Sequence, residues 1–413
     1  MKILIVHKQV LFPRDTGGKI RVLNVLQHLV KRHPVTYVCN LRENEEQHVA
    51  RMRDLGLRVE TVPYKISKHG SPKFLISAAL NLFSPRPFSV ERNFDPNLRA
   101  RVAAELTAEP YDVLICDTVQ MFRHMQGLRA KVNILFQHNF EAQILQRHAQ
   151  VGPNPLFRAY MWTDWKKMLR FERDCGKEFD RVIAVSEPDK KLFEREYGWN
   201  NVSCIDTAVD ADFFQNRDGQ EVPDRVVFVG SMDWLPNQDG VKFFVRDIWP
   251  KIRAARPQAT FQIVGRNPPP SVTALTSVPG VEVVGFVPDV RPYLSSAAAF
   301  VVPLLVGGGT RLKIYEAMAM GRAVVSTRVG AEGLPLTPGQ HFFEEDDPSR
   351  FADAVVRLLS DQTVRGKMGQ AAEQFVRSKY DSETISRQFE EICLETLAQK
   401  AAQAGRPQPQ SVA

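Results

Sequence analysis

The sequence predicts two doubly wound α/β domains, each built on a parallel sheet. Short apolar segments, as expected for strands buried on both faces, alternate with segments long enough for a helix. The alternation occurs in two series, separated by a polar segment at 215–224. A chain of 413 residues is also too long for one ordinary core. We therefore expect a first domain at 1–212 and a second at 222–380.

Apolar segments of strand length define the predicted sheets. The first series is KILIV (2–6), VTYVC (35–39), RVETVPY (58–64), DVLICD (112–117), NILFQHN (133–139) and RVIAVS (181–186). The second is RVVFVGS (225–231), TFQIVG (260–265), VEVVGFV (281–287), AFVVPLL (299–305) and AVVSTRVG (323–330). The helical pattern at 381–400 is expected to pack back on the first domain, and residues 401–413 to form a disordered tail.

The composition is that of a globular protein, with 44% apolar and 24% charged residues. No apolar stretch reaches the ~18–20 residues that cross a bilayer. The apolar start lacks the cleavage site of a signal peptide and is interpreted as a buried strand. Five cysteines without pairing or metal-type spacing indicate a reduced, cytoplasmic protein. The net charge of +7 favours anionic partners such as nucleotides or phospholipids, whereas nucleic acid is disfavoured because no recognised binding motif accompanies the charge.

The segment AFVVPLLVGGGTRLKIYEAMAMG (299–321) predicts a strand, a glycine-rich turn and a helix, a common setting for phosphate binding. Glycines let the backbone approach an anion, and the first N–H groups of a helix point toward it. Arg311 and Lys313 are poorly placed at an electropositive helix end, so a bound phosphate would explain them. A tight turn with two solvated cations is the alternative. The spacing is neither a Walker loop nor the dinucleotide fingerprint, which weakens kinase and dehydrogenase interpretations.

Five further motifs can be compared with known families. They are EAMAMGRAVVSTRVGAEGL (316–334), VEVVGFVPDVRPYLSSA (281–297), VIAVSEPDKKLF (182–193), IDTAVDADFF (205–214), and a Gly17-Gly18 turn followed by KIRVLNVLQHL (19–29). Together these motifs resemble those of family 4 glycosyltransferases, which are retaining enzymes of the GT-B fold, with two Rossmann-like domains facing across a cleft. The likeness runs from residue 2 to about 390 and is strongest at 300–334.

The resemblance implies a nucleotide-diphosphate sugar as the donor, bound by the second domain. Glu316 would then accept hydrogen bonds from the ribose hydroxyls, because a carboxylate suits a vicinal diol. A carboxylate that merely interacts with the helix dipole is the alternative. No cofactor is expected, and a metal ion is doubtful because no Asp-x-Asp motif could bridge it to the diphosphate. The other donor-binding residues implied are Gly230, Ser231, Phe286, Val287, Gly308, Gly309 and Thr310.

The sequence departs from the family pattern at three positions. Many members carry two glutamates eight positions apart, and Gly308 stands at the first of these. The arginine and lysine that often grip the diphosphate are replaced by Ser231 and Asp239. We hypothesise that other cations bind the diphosphate in this protein. Arg311 would bind it and stabilise the departing nucleotide as a catalytic residue, and Lys313 would assist.

Three post-strand segments supply candidates on the acceptor or phosphate side of the first domain. His138 follows a buried strand and could act on the sugar or shuttle the acceptor proton, or it could be a structural residue at the strand end. Asp117 could polarise an acceptor hydroxyl or cap the next helix. Gly17, Gly18 and Lys19 would lie beside the reacting sugar, unless they form an ordinary turn.

The sequence therefore predicts a glycosyltransferase, hexosyltransferase-like, that uses a glycan or lipid-linked hydroxyl acceptor with retention of configuration. Aromatic, leucine-rich and cationic segments at 71–90 and 154–174 suggest peripheral contact with the inner face of the membrane, although core helices are the commoner explanation. A nucleotide-sugar epimerase, a phosphorylase, or a non-catalytic nucleotide-sugar-binding protein is the alternative on the same fold.

Overall fold

The computed structural model describes residues 1–14, 16–65, 71–151, 154–215, 220–306 and 312–404. The chain divides into two compact units. The first comprises Met1–Asp206 together with the residues from Ser386 onward, and the second comprises Thr207–Ile385. Each unit has its own sheet and apolar core.

The first unit contains a seven-stranded parallel sheet with the order β3-β2-β1-β4-β5-β6-β7. Its central strands are fully buried, which explains their continuous apolar sequences. The strands are β1 Ile3–His7, β2 Val35–Leu41, β3 Arg58–Pro63, β4 Val113–Asp117, β5 Val132–Gln137, β6 Arg181–Ala184 and β7 Val202–Cys204.

Helices connect these strands. They are α1 Gly17–Leu29, α2 Glu46–Asp54, α3 Pro72–Asn81, α4 Phe88–Asn93, α5 Pro96–Ala108, α6 Glu141–Val151, α7 Pro155–Gly176 and α8 Glu187–Tyr197, with a 3-10 turn at Val119–His124. Local sequence sets several starts, because Ser71, Asp95, Asn154 and Ser186 each accept a hydrogen bond from a backbone N–H of the first turn.

The second unit contains a six-stranded parallel sheet with the order β10-β9-β8-β11-β12-β13. The strands are β8 Arg225–Val229, β9 Thr260–Val264, β10 Val281–Gly285, β11 Ala299–Val302, β12 Val324–Ser326 and β13 Phe343–Glu344. The helices are α9 Leu235–Phe243, α10 Trp249–Ala255, α11 Pro270–Thr273, α12 Arg291–Ser296, α13 Leu312–Ala319, α14 Pro348–Ser360 and α15 Gln362–Lys379. The last helix, α16 Ser382–Ala404, starts in this unit and belongs to the first unit from Ser386 onward. A π-helical turn at Phe244–Ile248 and a 3-10 turn at Ala274–Ser277 complete the unit.

The two parallel sheets confirm the predicted fold class. Every segment predicted as a strand contains one, and the structure adds the edge strands β7 and β13. The order of the central strands brings the carboxyl ends of β1, β4 and β5 together in one unit, and those of β9, β8 and β11 in the other. Side chains that follow these strands are therefore neighbours.

The division between the units differs from the predicted bounds at 212 and 222. The segment 207–212, which the sequence assigns to the first domain, belongs to the second unit. The reason is pairing with the end of α15: Val209 N donates to Tyr380 O at 2.9 Å, and Ser382 N donates to Val209 O at 2.9 Å. Phe214 also packs into the second core. The last helix, α16, reaches Ala404, so the start of the predicted disordered tail is helical, and residues 405–413 lie outside the described part.

Candidate active site

Two histidines and an aspartate meet at the carboxyl ends of β1, β4 and β5. We call His7, Asp117 and His138 the histidine cluster. His138 Nε2 lies 2.6 Å from Asp117 Oδ1, and His7 Nε2 lies 3.2 Å from Asp117 Oδ2. Asp117 is 1% exposed and His138 5% exposed. The structure thus brings two of the predicted site residues, Asp117 and His138, into direct contact and adds His7.

Burial and mutual charge set the protonation states of the histidine cluster. Burial opposes ionisation of Asp117, but the imidazoles of His138 and His7 more than offset it, and the pKa of this carboxyl lies below its ordinary value. Burial lowers the pKa of both imidazoles below the usual histidine value, despite the adjacent carboxylate. These directions favour the ionised form of Asp117 and the neutral forms of the two imidazoles. His7 Nδ1 lies 2.7 Å from the carbonyl oxygen of Gln9, which fixes its ring.

The start of α1 lies against the histidine cluster. A methyl group added at Gly18 would lie 3.6 Å from His138 Nδ1, so this imidazole nitrogen faces the Gly17-Gly18 turn. Lys19 and Arg21 in the first turn are both 6% exposed. Burial lowers the pKa of Arg21 to about 10, opposed by the charges of Asp189 and Asp117, so Arg21 is a cation at neutral pH.

A buried polar network, absent from our sequence-based candidates, holds the turn that carries His138. Gln137 Oε1 accepts a hydrogen bond from Val119 N at 2.9 Å, and Gln137 Nε2 donates to Glu172 Oε1 at 2.6 Å. Glu172, on α7, also accepts from the N–H of Ala142 at 3.1 Å and from the Tyr197 hydroxyl at 2.8 Å. Burial, reinforced by the charge of Glu141, raises the pKa of Glu172 to about 8. The network connects the turns after β4 and β5 to the start of α6.

In the second unit, the carboxyl ends of β8 and β9 approach closely enough to require glycine. A methyl group at Gly265 would lie 1.8 Å from the carbonyl oxygen of Gly230. Gly230 N donates to Val264 O, and Met232 N donates to Arg266 O, both at 2.9 Å. This extends the strand pairing into the post-strand turns and fixes the positions of Ser231 and Arg266.

Lys313 lies against the first of these turns. Its Nζ donates to Asn237 Oδ1 at 2.8 Å and lies 4.4 Å from the centre of the Phe228 ring. A methyl group at Gly230 would meet this ammonium at 2.6 Å. Asn237 Nδ2 in turn donates to the carbonyl oxygen of Ser231 at 2.7 Å. The structure therefore brings together Gly230, Ser231 and Lys313, three of the predicted donor-site residues.

A second cation, which our sequence-based candidates missed, lies at the same strand ends. Arg266 Nε donates to Ser231 Oγ at 3.2 Å and to Asp233 Oδ2 at 2.9 Å. Asn267 Nδ2 donates to Asp233 Oδ1 at 3.0 Å. The sequence does indicate Arg266, because this residue comes directly after the buried strand β9 and Gly265. We call Ser231, Arg266 and Lys313, with their partners Asp233 and Asn237, the cation cluster.

Glu316 lies on the first turns of α13, three residues after Lys313. Burial raises the pKa of this carboxyl to about 7, against the opposing charge of Lys313. Among the described residues no hydrogen bond to the Glu316 carboxylate is found. A carboxylate of this kind has acceptor capacity for a ligand's hydroxyl groups.

The remaining donor-side candidates fall into two groups. Phe286, after β10, is 73% exposed, and Val287 packs partly against the second core. Gly308, Gly309, Thr310 and Arg311 lie outside the described residues. The hypothesis that Arg311 binds the diphosphate therefore stays a prediction. In the described ranges, no group of three or more histidine, cysteine, aspartate or glutamate side chains is arranged to hold a metal ion.

Comparison with known families matches both units. The model described as "Glycosyltransferase Family 4" matches residues 16–213, and the model described as "Glycosyl transferases group 1" matches residues 223–361. Together the two matches cover most of the chain, and each falls on one of the predicted domains.

Individual relatives are distant. The chain is 20% identical over 399 residues to an uncharacterized 44.6 kDa protein in the cps region of Klebsiella pneumoniae, covering 93% of this chain and 97% of the relative. It is 33% identical over 88 residues to N-acetyl-alpha-D-glucosaminyl L-malate synthase of Bacillus anthracis, covering 21% and 23%. The structure of HepE from Anabaena in complex with UDP and glucose superposes with a TM-score of 0.65 at 16% identity, covering 95% of this chain and 98% of HepE.

Proposed function

Because the chain belongs to the glycosyltransferases described by the family 4 and group 1 models, we propose that it transfers a sugar from a nucleotide-diphosphate donor to a hydroxyl of a glycan or lipid-linked acceptor. We further propose that the transfer retains the configuration of the anomeric carbon. A role in polysaccharide biosynthesis is supported by the full-length similarity to a protein of the cps region. A reducing, cytoplasmic environment is supported by the five cysteines, all of which are free.

The observation that carries the donor assignment is the cation cluster. Lys313 and Arg266 lie at the carboxyl ends of parallel strands, where ligands of doubly wound sheets bind. An arginine and a lysine at such a point favour an anionic group such as a diphosphate. They also compensate for the replacement of the usual arginine by Ser231, because Arg266 contacts the Ser231 hydroxyl directly.

Glu316 and Phe286 complete the proposed donor site. Glu316 would accept hydrogen bonds from the two ribose hydroxyls, which requires the ionised carboxylate. Because burial raises its pKa to about 7, protonation would compete with donor binding near neutral pH. The exposed ring at Phe286, together with the backbone at Val287, would contact the nucleobase. Arg311, with the glycines before it in the sequence, would contact the diphosphate, an expectation that rests on the sequence alone.

The histidine cluster supports the acceptor step. A carboxylate 2.6 Å from His138 Nε2 favours the tautomer that carries its proton on this nitrogen. The unprotonated Nδ1, which faces the Gly18 turn, is then available as a base for the acceptor hydroxyl. Asp117 would position His138 and would not itself contact the acceptor, because its two carboxylate oxygens lie against His138 Nε2 and His7 Nε2.

The chemistry that follows is substitution on one face of the sugar. The glycine at 308 supplies no carboxylate nucleophile, so the acceptor oxygen would bond to the anomeric carbon from the side of the departing diphosphate while the bond between that carbon and the phosphate oxygen breaks. The acceptor proton would go to His138 Nδ1. Lys313, Arg266 and Arg311 would stabilise the negative charge that develops on the nucleoside diphosphate.

Thermal-shift measurements with a panel of nucleotide sugars test the donor assignment. A donor present at 100 times its Kd stabilises the protein by about 2.7 kcal/mol, so the true donor should stand out as a raised Tm. The selected donor is then incubated with sugar and lipid-linked acceptors, and the anomeric configuration of the product is read by NMR. Donor binding without transfer or hydrolysis in any mixture would point to a nucleotide-sugar-binding protein instead.

Substitution of the two described cations tests the site itself. We expect Arg266→Ala and Lys313→Ala each to weaken nucleoside diphosphate binding, by about 1.5–3 kcal/mol for the loss of a charged hydrogen bond. Arg246→Ala is the matched control, because Arg246 belongs to the same unit and its side chain is 76% exposed and pairs with Asp247. Equal Kd values, by isothermal titration calorimetry, for the wild type and both site variants would refute the assignment.

A further inference from the structure

The first unit exposes a group of large apolar side chains on α3, on the turn after it and on the first half of α7. Leu75, Ile76 and Leu80 are 59%, 60% and 66% exposed, and Phe83 is 91% exposed. On α7, Leu156 is 85% and Trp162 is 53% exposed. We call these six side chains the apolar face. Exposed apolar groups of this size, gathered in one region, mark an interaction site.

The apolar face is not the outer side of an ordinary core helix. Of the ten residues of α3, only Asn81 is buried, so the helix presents its leucines and isoleucine to solvent. A helix that packs on a core buries such a stripe. The sequence-based preference for core helices at 71–90 is therefore wrong for α3.

The two parts of the apolar face lie on elements that are joined, since the carboxyl end of α3 contacts the middle of α7. Lys167 Nζ, on α7, donates to the carbonyl oxygen of Asn81 at 2.5 Å, at the carboxyl end of α3. Phe88 N donates to Asp164 Oδ1 at 2.8 Å, and the Phe88 ring lies 6.4 Å from the Tyr160 ring. These contacts fix the turn that carries Phe83 against the middle of α7.

The charged residues on the segments that carry the apolar face are mostly cations. Residues 71–86 and 154–170 contain six cations and one acid. The acid is Asp164, which is 3% exposed and occupied by the Phe88 N–H. The cations are Lys73, Arg86, Arg158, Lys166, Lys167 and Arg170. Arg86 is paired with Glu91 at 3.3 Å, which leaves five of these cations without an ion pair to a carboxylate among the described residues. An apolar surface bordered by such cations is complementary to a bilayer with anionic headgroups.

We propose that the apolar face docks on the surface of an anionic lipid bilayer, with Leu80, Phe83 and Trp162 entering the headgroup region and the cations contacting phosphates. The acceptor is then of the lipid-linked class, an inference that rests on the proposed function. The same helix serves both sites, since α7 carries Trp162 near its start and Glu172, which holds the His138 turn, about 15 Å further along. A sugar carried on a membrane lipid would be presented to the unit that contains His138.

Vesicle sedimentation with the full chain tests the docking surface without donor or acceptor. The probes are vesicles of phosphatidylglycerol mixed with phosphatidylcholine, vesicles of phosphatidylcholine alone, and both at low and high salt. We expect binding to the anionic vesicles, at least tenfold weaker binding to the neutral ones, and weakening by salt. The double variant Leu80→Ser/Phe83→Ser should lose at least tenfold in affinity. Leu394→Ser, at a 46% exposed apolar position on α16, is the matched control and should bind like the wild type.

Each other outcome overturns the proposal. Absence of binding to anionic vesicles at low salt excludes a bilayer as the partner. Binding that the double variant leaves unchanged, at an unaltered Tm, excludes this face. A change of elution volume in size-exclusion chromatography between wild type and double variant, without vesicle binding, would assign the face to a second copy of the chain. Because donor binding is measured separately by thermal shift, failure of the docking surface does not bear on the glycosyltransferase proposal.

Discussion

At the scale of single residues, Glu316 makes the donor site dependent on pH. Its pKa of about 7 means that the ionised fraction falls from about 0.9 at pH 8 to about 0.1 at pH 6. If the ionised carboxylate holds the ribose, nucleotide-sugar affinity should fall about tenfold over this range. A nucleotide sugar is the appropriate ligand, because neither of its two esterified phosphates titrates near neutrality.

The variant Glu316→Gln tests this dependence. It should bind the same donor about as weakly at pH 8 as the wild type does at pH 6, and the pH dependence should largely disappear. Calorimetric titration of both proteins at pH 6, 7 and 8 measures the effect. If donor affinity depended on pH in the same way for wild type and variant, Glu316 would interact only with the helix dipole and not with the donor.

His138→Ala separates chemistry from donor binding, because the histidine cluster belongs to the first unit and the cation cluster to the second. We expect nucleoside diphosphate affinity to stay near that of the wild type and transfer to fall by ~10²–10⁴-fold, as for a positioned proton-transfer group. His148→Ala, at an exposed position on α6, is the control. Full activity with a lowered Tm would identify His138 as a structural residue at the strand end.

At the scale of elements, the Glu172 network decides how the strand-end turns are held. Glu172 is 0% exposed and its pKa in the folded protein, about 8, lies above its usual value, so the folded state retains a proton that the unfolded chain releases. Stability from this group is present at low pH and is lost as pH rises through about 8. The wild type should therefore lose up to roughly 1.4 kcal/mol per pH unit between about pH 5 and 8, relative to Glu172→Gln.

Urea unfolding at pH 6 and pH 8 measures this difference. Glu178→Gln, at a 55% exposed side chain just beyond the same helix, is the control and should unfold in parallel with the wild type. A wild-type advantage over Glu172→Gln that does not shrink with rising pH would contradict the raised pKa.

The elements also show what the sequence could predict. Buried central strands are continuous apolar segments, so all of them were predicted. The edge strands β7, with three residues, and β13, with two, are too short for such a pattern. Arg266 could have been found, because it follows a buried strand and a glycine. Glu172 could not, because nothing local distinguishes it from other helical glutamates and only the packing of α7 on the β5 turn gives it four donors.

At the scale of the whole molecule, the end of the chain completes the unit in which the chain begins. Residues from Ser386 onward belong to the first unit. Ser386 Oγ donates to Val25 O at 2.8 Å, and Glu390 accepts from Arg32 Nε at 2.6 Å. The first unit is therefore assembled from two segments distant in sequence, and its core depends on a helix that follows the second unit.

Phe389 is the buried link between this last helix and the histidine cluster. It is 1% exposed, and its ring lies 5.3 Å from Phe136, whose own ring lies 4.6 Å from that of His138. We expect Phe389→Ala to lower the free energy of unfolding by about 3–5 kcal/mol, the range for removing a buried phenyl ring. Urea unfolding measures the loss, with Leu394→Ala, at a 46% exposed position on the same helix, as the control.

The Phe389→Ala variant should also lose transfer activity, since its cavity opens behind the strand that leads to His138. Nucleoside diphosphate affinity, a property of the second unit, should stay near that of the wild type. Equal stability of the two variants would show that α16 contributes little to the core of the first unit.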